Sequence, residues 1–171
     1  TPNIYPDVYR KIEPTFKNPA NEIHIGCFGA IRPMKNHLLQ AMAAMIFAKH
    51  LNKKLYFHIN DDRTEQNGEN VLKNLKALFL NSENSELVGH PWQQHSDFLE
   101  LINQMDFGMQ VSLTETYNIV AADFVSMRKP ILISKEIDWA PIVCRSNPNS
   151  IDSMVSGLHR LNFIKGNMLS S

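Results

Sequence analysis

The sequence is poor in cysteine, carries no excess charge of either sign and has no long hydrophobic run. Each absence excludes a class of protein. Only Cys27 and Cys144 are present, far apart in the chain. Two such residues cannot build a disulfide framework, and Cys27 lies in an apolar run. The expectation is a reduced, cytoplasmic protein. Lys plus Arg and Asp plus Glu balance at 17 each. That balance argues against a protein whose main role is to coat nucleic acid or anionic membrane. It leaves room for a small local basic site. No stretch approaches the roughly 18–20 apolar residues of a membrane span, and no signal peptide is read at the start.

Other absences concern chemistry. The dinucleotide fingerprint G-x-G-x-x-G is missing: the first predicted strand is followed only by Gly26 and Gly29. The histidines at 24, 37, 50, 58, 90, 95 and 159 show no metal-ligand spacing. His90 and His95 are five apart, which is not the i, i+4 pair of a zinc protease helix. No Ser/His/Asp set or Cys/His pair stands at a recognisable spacing. His90 alone is read as a binding residue, from its place in a turn. The other histidines are read as surface or satisfied core residues. Trp92 and Trp139 are read as packing residues, with the lining of a pocket as the alternative, and Met42 and Met45 as core.

What is present fits one domain. The chain has 171 residues, 43% of them hydrophobic, enough for a core without disulfides or metals. The opening TPNIYPDVYRKIEPTFKNP holds four of the nine prolines. Residues 1–20 therefore read as a linker and residues 21–171 as the domain. The expectation is a fragment of a longer protein.

Beyond residue 20 the pattern alternates. Strands are expected at Glu22–Phe28, Leu55–Asn60, Glu86–Gly89, Phe107–Val111 and Pro130–Ser134. Helices are expected at Asn36–Leu51 (apolar at Leu38, Met42, Met45, Ile46 and Ala48), around Val71–Phe79, after a cap at Ser96, at Asn118–Met127 and at Ile151–Phe163. Alternation of this kind implies parallel strands with helical crossovers, a doubly wound α/β fold. Ligands of such sheets bind beyond the carboxyl ends of the strands. The turns that matter are those that follow strands.

The first such turn, Gly29-Ala30-Ile31-Arg32-Pro33-Met34-Lys35-Asn36, offers a flexible glycine, two cations and a helix start. Exposed backbone N–H groups at a helix start favour anions, so the turn reads as a phosphate site. A solvated loop before a helix is the plainer alternative. The fourth turn runs Ser112-Leu113-Thr114-Glu115-Thr116-Tyr117-Asn118-Ile119, with Asp123 further on. One carboxylate precedes the helix. The other lies about 7.5 Å along it from Asn118 at ~1.5 Å per residue. N–H groups near Tyr117–Ile119 lie between. This suits a ligand with hydroxyls at both ends and a diphosphate in the middle. A capped helix with incidental acids is again the plainer alternative.

These runs resemble the donor-binding C-terminal domain of the retaining glycosyltransferases of family 4, the group 1 glycosyltransferases. The likeness extends from about Glu22 to about Ile142. Its most specific piece is a paired-acid motif: Glu115, then TYNIVAA, then Asp123. GAIRPMKN resembles the family's phosphate turn, HSDFLELINQMDFGMQVSLTE its run into the acids, FVSMRKPILIS its next strand, and PNIYPDVYRK its interdomain linker. The resemblance implies a Rossmann-like parallel sheet flanked by helices, the C-terminal half of a B-type glycosyltransferase fold. It implies that Glu115 contacts the transferred sugar and Asp123 the ribose. Lys35 falls on the family's diphosphate lysine. Thr116, Tyr117, Asn118 and Ile119 lie along sugar and diphosphate, with Gly29 and Arg32 in the phosphate turn. The base falls near Val88, Gly89, His90 and Pro91.

The sequence departs from the family in places. Ala30 stands where the family has arginine, and Arg32 comes two residues later. Thr116 and Tyr117 replace glycines, and Asp123 replaces glutamate. The implied function is sugar transfer, with retention, from a nucleotide-sugar to an acceptor held by an N-terminal domain. No metal, other cofactor or nucleic acid is implied, and membrane contact only through the full-length protein. Glu115 and Lys35 are the implied catalytic pair, with Glu115 positioning and Lys35 stabilising the leaving diphosphate. The alternatives are a non-catalytic nucleotide-sugar-binding or interaction domain and a sugar-nucleotide epimerase on the same architecture.

Overall fold

The computed structural model describes residues 17–169. Most of the expected linker, residues 1–16, lies outside the described residues. At its inner end, the Asn18 amide donates to the Gln104 carbonyl and to Asp106 Oδ2, each at 3.0 Å.

Six strands form one parallel sheet. They are β1 (Glu22–Gly26), β2 (Lys54–Asn60), β3 (Ser85–His90), β4 (Phe107–Gln110), β5 (Ile131–Ser134) and β6 (Arg145–Ser146), in the order β3-β2-β1-β4-β5-β6. The helices are α1 (His37–His50), α2 (Gly68–Leu80), α3 (His95–Asn103), α4 (Ile119–Ser126) and α5 (Ile151–Leu169). The chain builds outward from β1 to β3, crosses back to β4, then builds outward the other way. Right-handed crossovers in opposite directions put helices on opposite faces.

The packing follows that rule. Phe47 of α1, Leu75 and Phe79 of α2, and Leu158 of α5 share one core with Ile23, Ile25, Phe57, Phe107 and Met109. Leu99 and Ile102 of α3 and Ala121 and Phe124 of α4 share the other with Phe28, Ile131 and Ile133. Covered on both faces, β4 and β5 are buried along their whole length. No helix among the described residues is long and apolar enough to cross a membrane.

Three expectations need correction. The sheet has a sixth strand, β6, of two residues. It is too short for any hydrophobic period to reveal. Ser96 does not cap α3: the cap position is Gln94, and it makes no side-chain bond. In α1 the expected apolar face holds at Leu38, Met45 and Ala48, which are buried or packed on the core, but not at Met42 and Ile46. Met42 and Ile46 are exposed, while His37, Gln40, Ala41, Ala44 and Ala48 are buried. This helix packs on the sheet beside α5, and its small residues allow that close approach.

Gly68 shows how tightly the head of α2 meets the first turn. A Cβ there would stand 1.9 Å from the Ile31 carbonyl oxygen. Backbone cannot swing aside as a side chain can. Gly68→Ala is expected to destabilise the fold by roughly 2–4 kcal/mol, read as a lower urea midpoint with an unchanged slope.

Candidate functional site

Strand order reverses between β1 and β4, so the turns after these two strands part to opposite faces. The crevice between them is where open α/β sheets bind ligands. Here the two turns are tied together. The Leu113 N–H donates to the Met34 carbonyl at 2.9 Å. Asn36 stands in the left-handed region at φ 63°. Its buried amide donates to the carbonyls of Val111 (3.0 Å) and Pro148 (2.8 Å). Gln40 donates to the Lys35 carbonyl at 2.7 Å and accepts from the Val111 N–H at 2.8 Å.

On this frame the structure brings Lys35 and Glu115 together. Lys35 lies in a short 3₁₀ turn, Pro33–Lys35, and its ammonium donates to Glu115 Oε1. The side chains are only 13% and 10% exposed, so the pair is poorly screened. Ser112 Oγ (3.3 Å) and Asn118 Nδ2 (3.2 Å) reach the same Oε1. Glu115 Oε2 has no hydrogen-bond partner among the described residues. The carboxylate is held by one oxygen only.

Asn118 caps α4. Its Oδ1 accepts from the Ala121 N–H at 2.9 Å, and its Nδ2 also donates to Gln110 Oε1 at 2.8 Å. This leaves the Ile119 and Val120 N–H groups at the open end of the helix. Thr116, Tyr117 and Ile119 are exposed, and the Tyr117 ring meets Trp139 at 5.8 Å between centroids. Gly29, at φ 109°, gives its N–H to Asn60 Oδ1 at 2.8 Å. Arg32 turns to the rim, 4.0 Å from Glu65, while Glu115 bonds Lys35. The two tryptophans are surface residues that pack on one side: Trp92, 52% exposed, lies under the Arg63 guanidinium, and Trp139, 38% exposed, lies against Tyr117.

Asp123 is buried and faces α3, where its Oδ1 meets His95 Nε2 at 2.8 Å. Sequence reading passed over His95, because no spacing in the chain links it to an acid 28 residues away. Burial pushes the Asp123 carboxyl up from 3.8 to about 7. The native state then holds a proton that the unfolded chain has lost, so stability falls as pH rises between those values. The loss is at most about 4 kcal/mol, less what the His95 bond returns. Asp123→Asn removes the charge and keeps the shape. Its melting temperature is expected to gain several degrees on the parent between pH 4 and pH 7.

Two histidine features were also missed. His37, at the head of α1, is buried, with the Cys27 backbone beside its ring. Burial pushes its imidazole down to about 4, so it is neutral. His90, at the end of β3 and next to the exposed Pro91, is bonded at Nε2 to His58 Nδ1 at 2.8 Å. The sheet register, not sequence spacing, brings them together.

No protein-family model matches the chain, and no curated protein matches it. Solved structures do match. One is trehalose-6-phosphate synthase from E. coli bound with UDP-2-fluoro glucose, at a TM-score of 0.65 and 14% identity, covering 82% of this chain and 36% of that one. Another is a UDP-forming trehalose-phosphate synthase from Burkholderia xenovorans, at 0.66 and 15%, with the same coverage. The fold is that of the C-terminal half of a B-type glycosyltransferase. Family 4 as such is not decided by these neighbours. The chain spans about a third of the length of each, so the B-type likeness is to one part of a larger enzyme.

Proposed function

We propose that this chain is the donor-binding domain of a retaining glycosyltransferase that takes a nucleoside-diphosphate sugar, with a UDP-hexose as the first donor to test. The observation that carries it is the Lys35–Glu115 pair at the switch point, beside the open N-terminus of α4. Sugar transfer breaks the bond between the anomeric carbon and the leaving diphosphate. Negative charge grows on the diphosphate and positive charge on the sugar. Lys35 and the α4 N–H groups are preorganised for the former. Glu115 Oε2 is free to take sugar hydroxyls. With Oε1 engaged by Lys35, Ser112 and Asn118, Glu115 is a poor nucleophile and a good positioning group.

Asp123, with His95 beside it, takes the ribose hydroxyls. Gly29 and Arg32 complete the phosphate turn, with Arg32 moving from Glu65 to the ligand. The base lies near His90 and Pro91. The acceptor comes from a second domain, which supplies the other wall of the cleft. A diphosphate held by lysine and helix N–H groups does not call for a metal. The thiols, Cys27 buried and Cys144 partly so, are free and fit a reducing cytoplasm.

The experiment is a calorimetric titration with UDP, UDP-glucose, GDP and ADP. Saturable binding, lost in Lys35→Ala and weakened in Asp123→Ala, is the expected result. No binding by any of them at millimolar concentration would overturn the reading and favour a non-catalytic interaction domain, to which the Ala30, Thr116 and Tyr117 departures already incline.

A further inference from the structure

Three histidines cross the sheet in a hydrogen-bonded file. His24 Nε2 meets Glu22 Oε2 at 3.0 Å, His24 Nδ1 meets His58 Nε2 at 2.9 Å, and His58 Nδ1 meets His90 Nε2 at 2.8 Å. The register explains the line. His58 pairs with Gly26, two residues beyond His24, and His90 pairs with Asn60, two residues beyond His58. Each step moves one strand across and two residues up, which keeps the side chains on one face. The file starts low on β1 and ends at the carboxyl edge of β3. Tyr56 stacks on His24 at 4.6 Å, and Phe28 meets His90 edge-on at 6.0 Å. His58 is 6% exposed.

A neutral imidazole has one donor and one acceptor nitrogen, whereas a carboxylate only accepts. Glu22 therefore sets the polarity of the whole file. His24 donates from Nε2, so its Nδ1 must accept. His58 then donates from Nε2 and accepts at Nδ1, and His90 donates from Nε2. Burial, followed by the neighbouring His90 and His24, pushes His58 down to about 3, and burial also lowers His90, so these two rings are neutral. Asp61, the other acid near the far end, gives its backbone N–H to the His90 carbonyl at 3.3 Å, and its carboxylate sits over Gly89. It makes no hydrogen bond to the His90 ring. His90 Nδ1 is left as a lone pair without a partner among the described residues.

We propose that this file locks His90 as an acceptor and makes it the base-reading residue of the site, selecting a nucleobase with an imino N–H, as uracil and guanine have. The inference rests on the donor-site reading above. From Lys35 and the α4 N-terminus a ligand extends along the carboxyl edge. Asp123 and His95 line its middle. Beyond them, the planar rings of His90 and the exposed Trp92 stand with Pro91 at the end of β3. A lone pair held there by the fold rewards a ring N–H. It repels the ring lone pair that cytosine and adenine carry at the corresponding edge.

Two measurements on the chain test it. Long-range proton–nitrogen NMR of the free protein reads each ring's tautomer. Titration with UDP and N3-methyl-UDP reads the use of the lone pair. His24, His58 and His90 are expected as Nε2–H tautomers, and UDP is expected to bind about tenfold more tightly than its methylated analogue. Glu22→Gln supplies a group that donates as well as accepts. It should mix the tautomers and shrink the UDP preference, although Glu22 lies at the opposite edge of the sheet. A proton on His90 Nδ1 in the parent overturns the proposal at its source. Equal binding of UDP and N3-methyl-UDP overturns it while leaving the donor-site reading intact. Binding of neither nucleotide overturns both.

Discussion

Lys35→Ala is expected to lower the affinity for UDP by about a hundredfold. A charge-assisted hydrogen bond to phosphate is worth about 1.5–3 kcal/mol, and each 1.4 kcal/mol is tenfold. The substitution also strips Glu115 of its cation and leaves a poorly exposed carboxylate facing an incoming anion. Glu115→Gln should do the opposite for UDP. In the free protein Glu115 holds the lysine, so a diphosphate must compete with it. Without that competitor Lys35 is an uncompensated cation, and UDP should bind several-fold more tightly. UDP-glucose should not share the gain, because the carboxylate that grips its hydroxyls is gone. UDP-glucose should therefore lose ground against UDP in Glu115→Gln, measured as the ratio of the two affinities relative to the parent. The double variant should bind UDP better than Lys35→Ala alone, since the repelling charge has been removed with its partner. If Lys35→Ala binds UDP like the parent, the lysine does not contact the diphosphate.

The alternation of strands and helices was legible in the sequence because crossovers between parallel strands impose it. β1, β2, β4 and β5 lie where their apolar runs placed them. The order of strands was not legible, since nothing local in the chain states that β4 returns to the side of β1. The Lys35–Glu115 and Asp123–His95 contacts depend on that return. Family resemblance pointed to Lys35 and Glu115 as a pair and to Asp123, but not to the partner of Asp123. That partner lies on another helix.

The histidines show the same limit more sharply. His24, His58 and His90 are spaced 34 and 32 residues apart. That interval is one strand-helix-strand unit plus a two-residue climb, and it becomes a contact only when the register is known. In α1 the failure is of another kind. Met42 and Ile46 look like core and Gln40 like surface, but the opposite holds. Gln40 is buried because it bonds the backbone of both turns, a need that hydrophobic periodicity cannot express.

Asn36 carries that need furthest, and Asn36→Ala is expected to cost about 3–4 kcal/mol. Part of the cost is conformational: at φ 63° an alanine meets its own carbonyl, a penalty of about 1–2 kcal/mol. The rest is polar. The Asn36 amide satisfies the Val111 and Pro148 carbonyls, and removing it leaves buried acceptors with no donor, at about 1–3 kcal/mol. Asn36→Gly separates the two contributions. Glycine adopts the left-handed region freely, so it should recover the conformational part and none of the polar part. Urea unfolding should rank the parent above Asn36→Gly and Asn36→Ala last. An equal loss in both variants would assign the whole effect to the amide. A loss in neither would mean that Asn36 does not hold the turns together. Because Asn36 joins the turn after β1 to that after β4 and to the loop before α5, Asn36→Gly should also weaken UDP binding, by a smaller factor than Lys35→Ala. Lys35 would remain in place but on a looser turn, and a cation that must be ordered at the moment of binding gives up part of its attraction to that ordering.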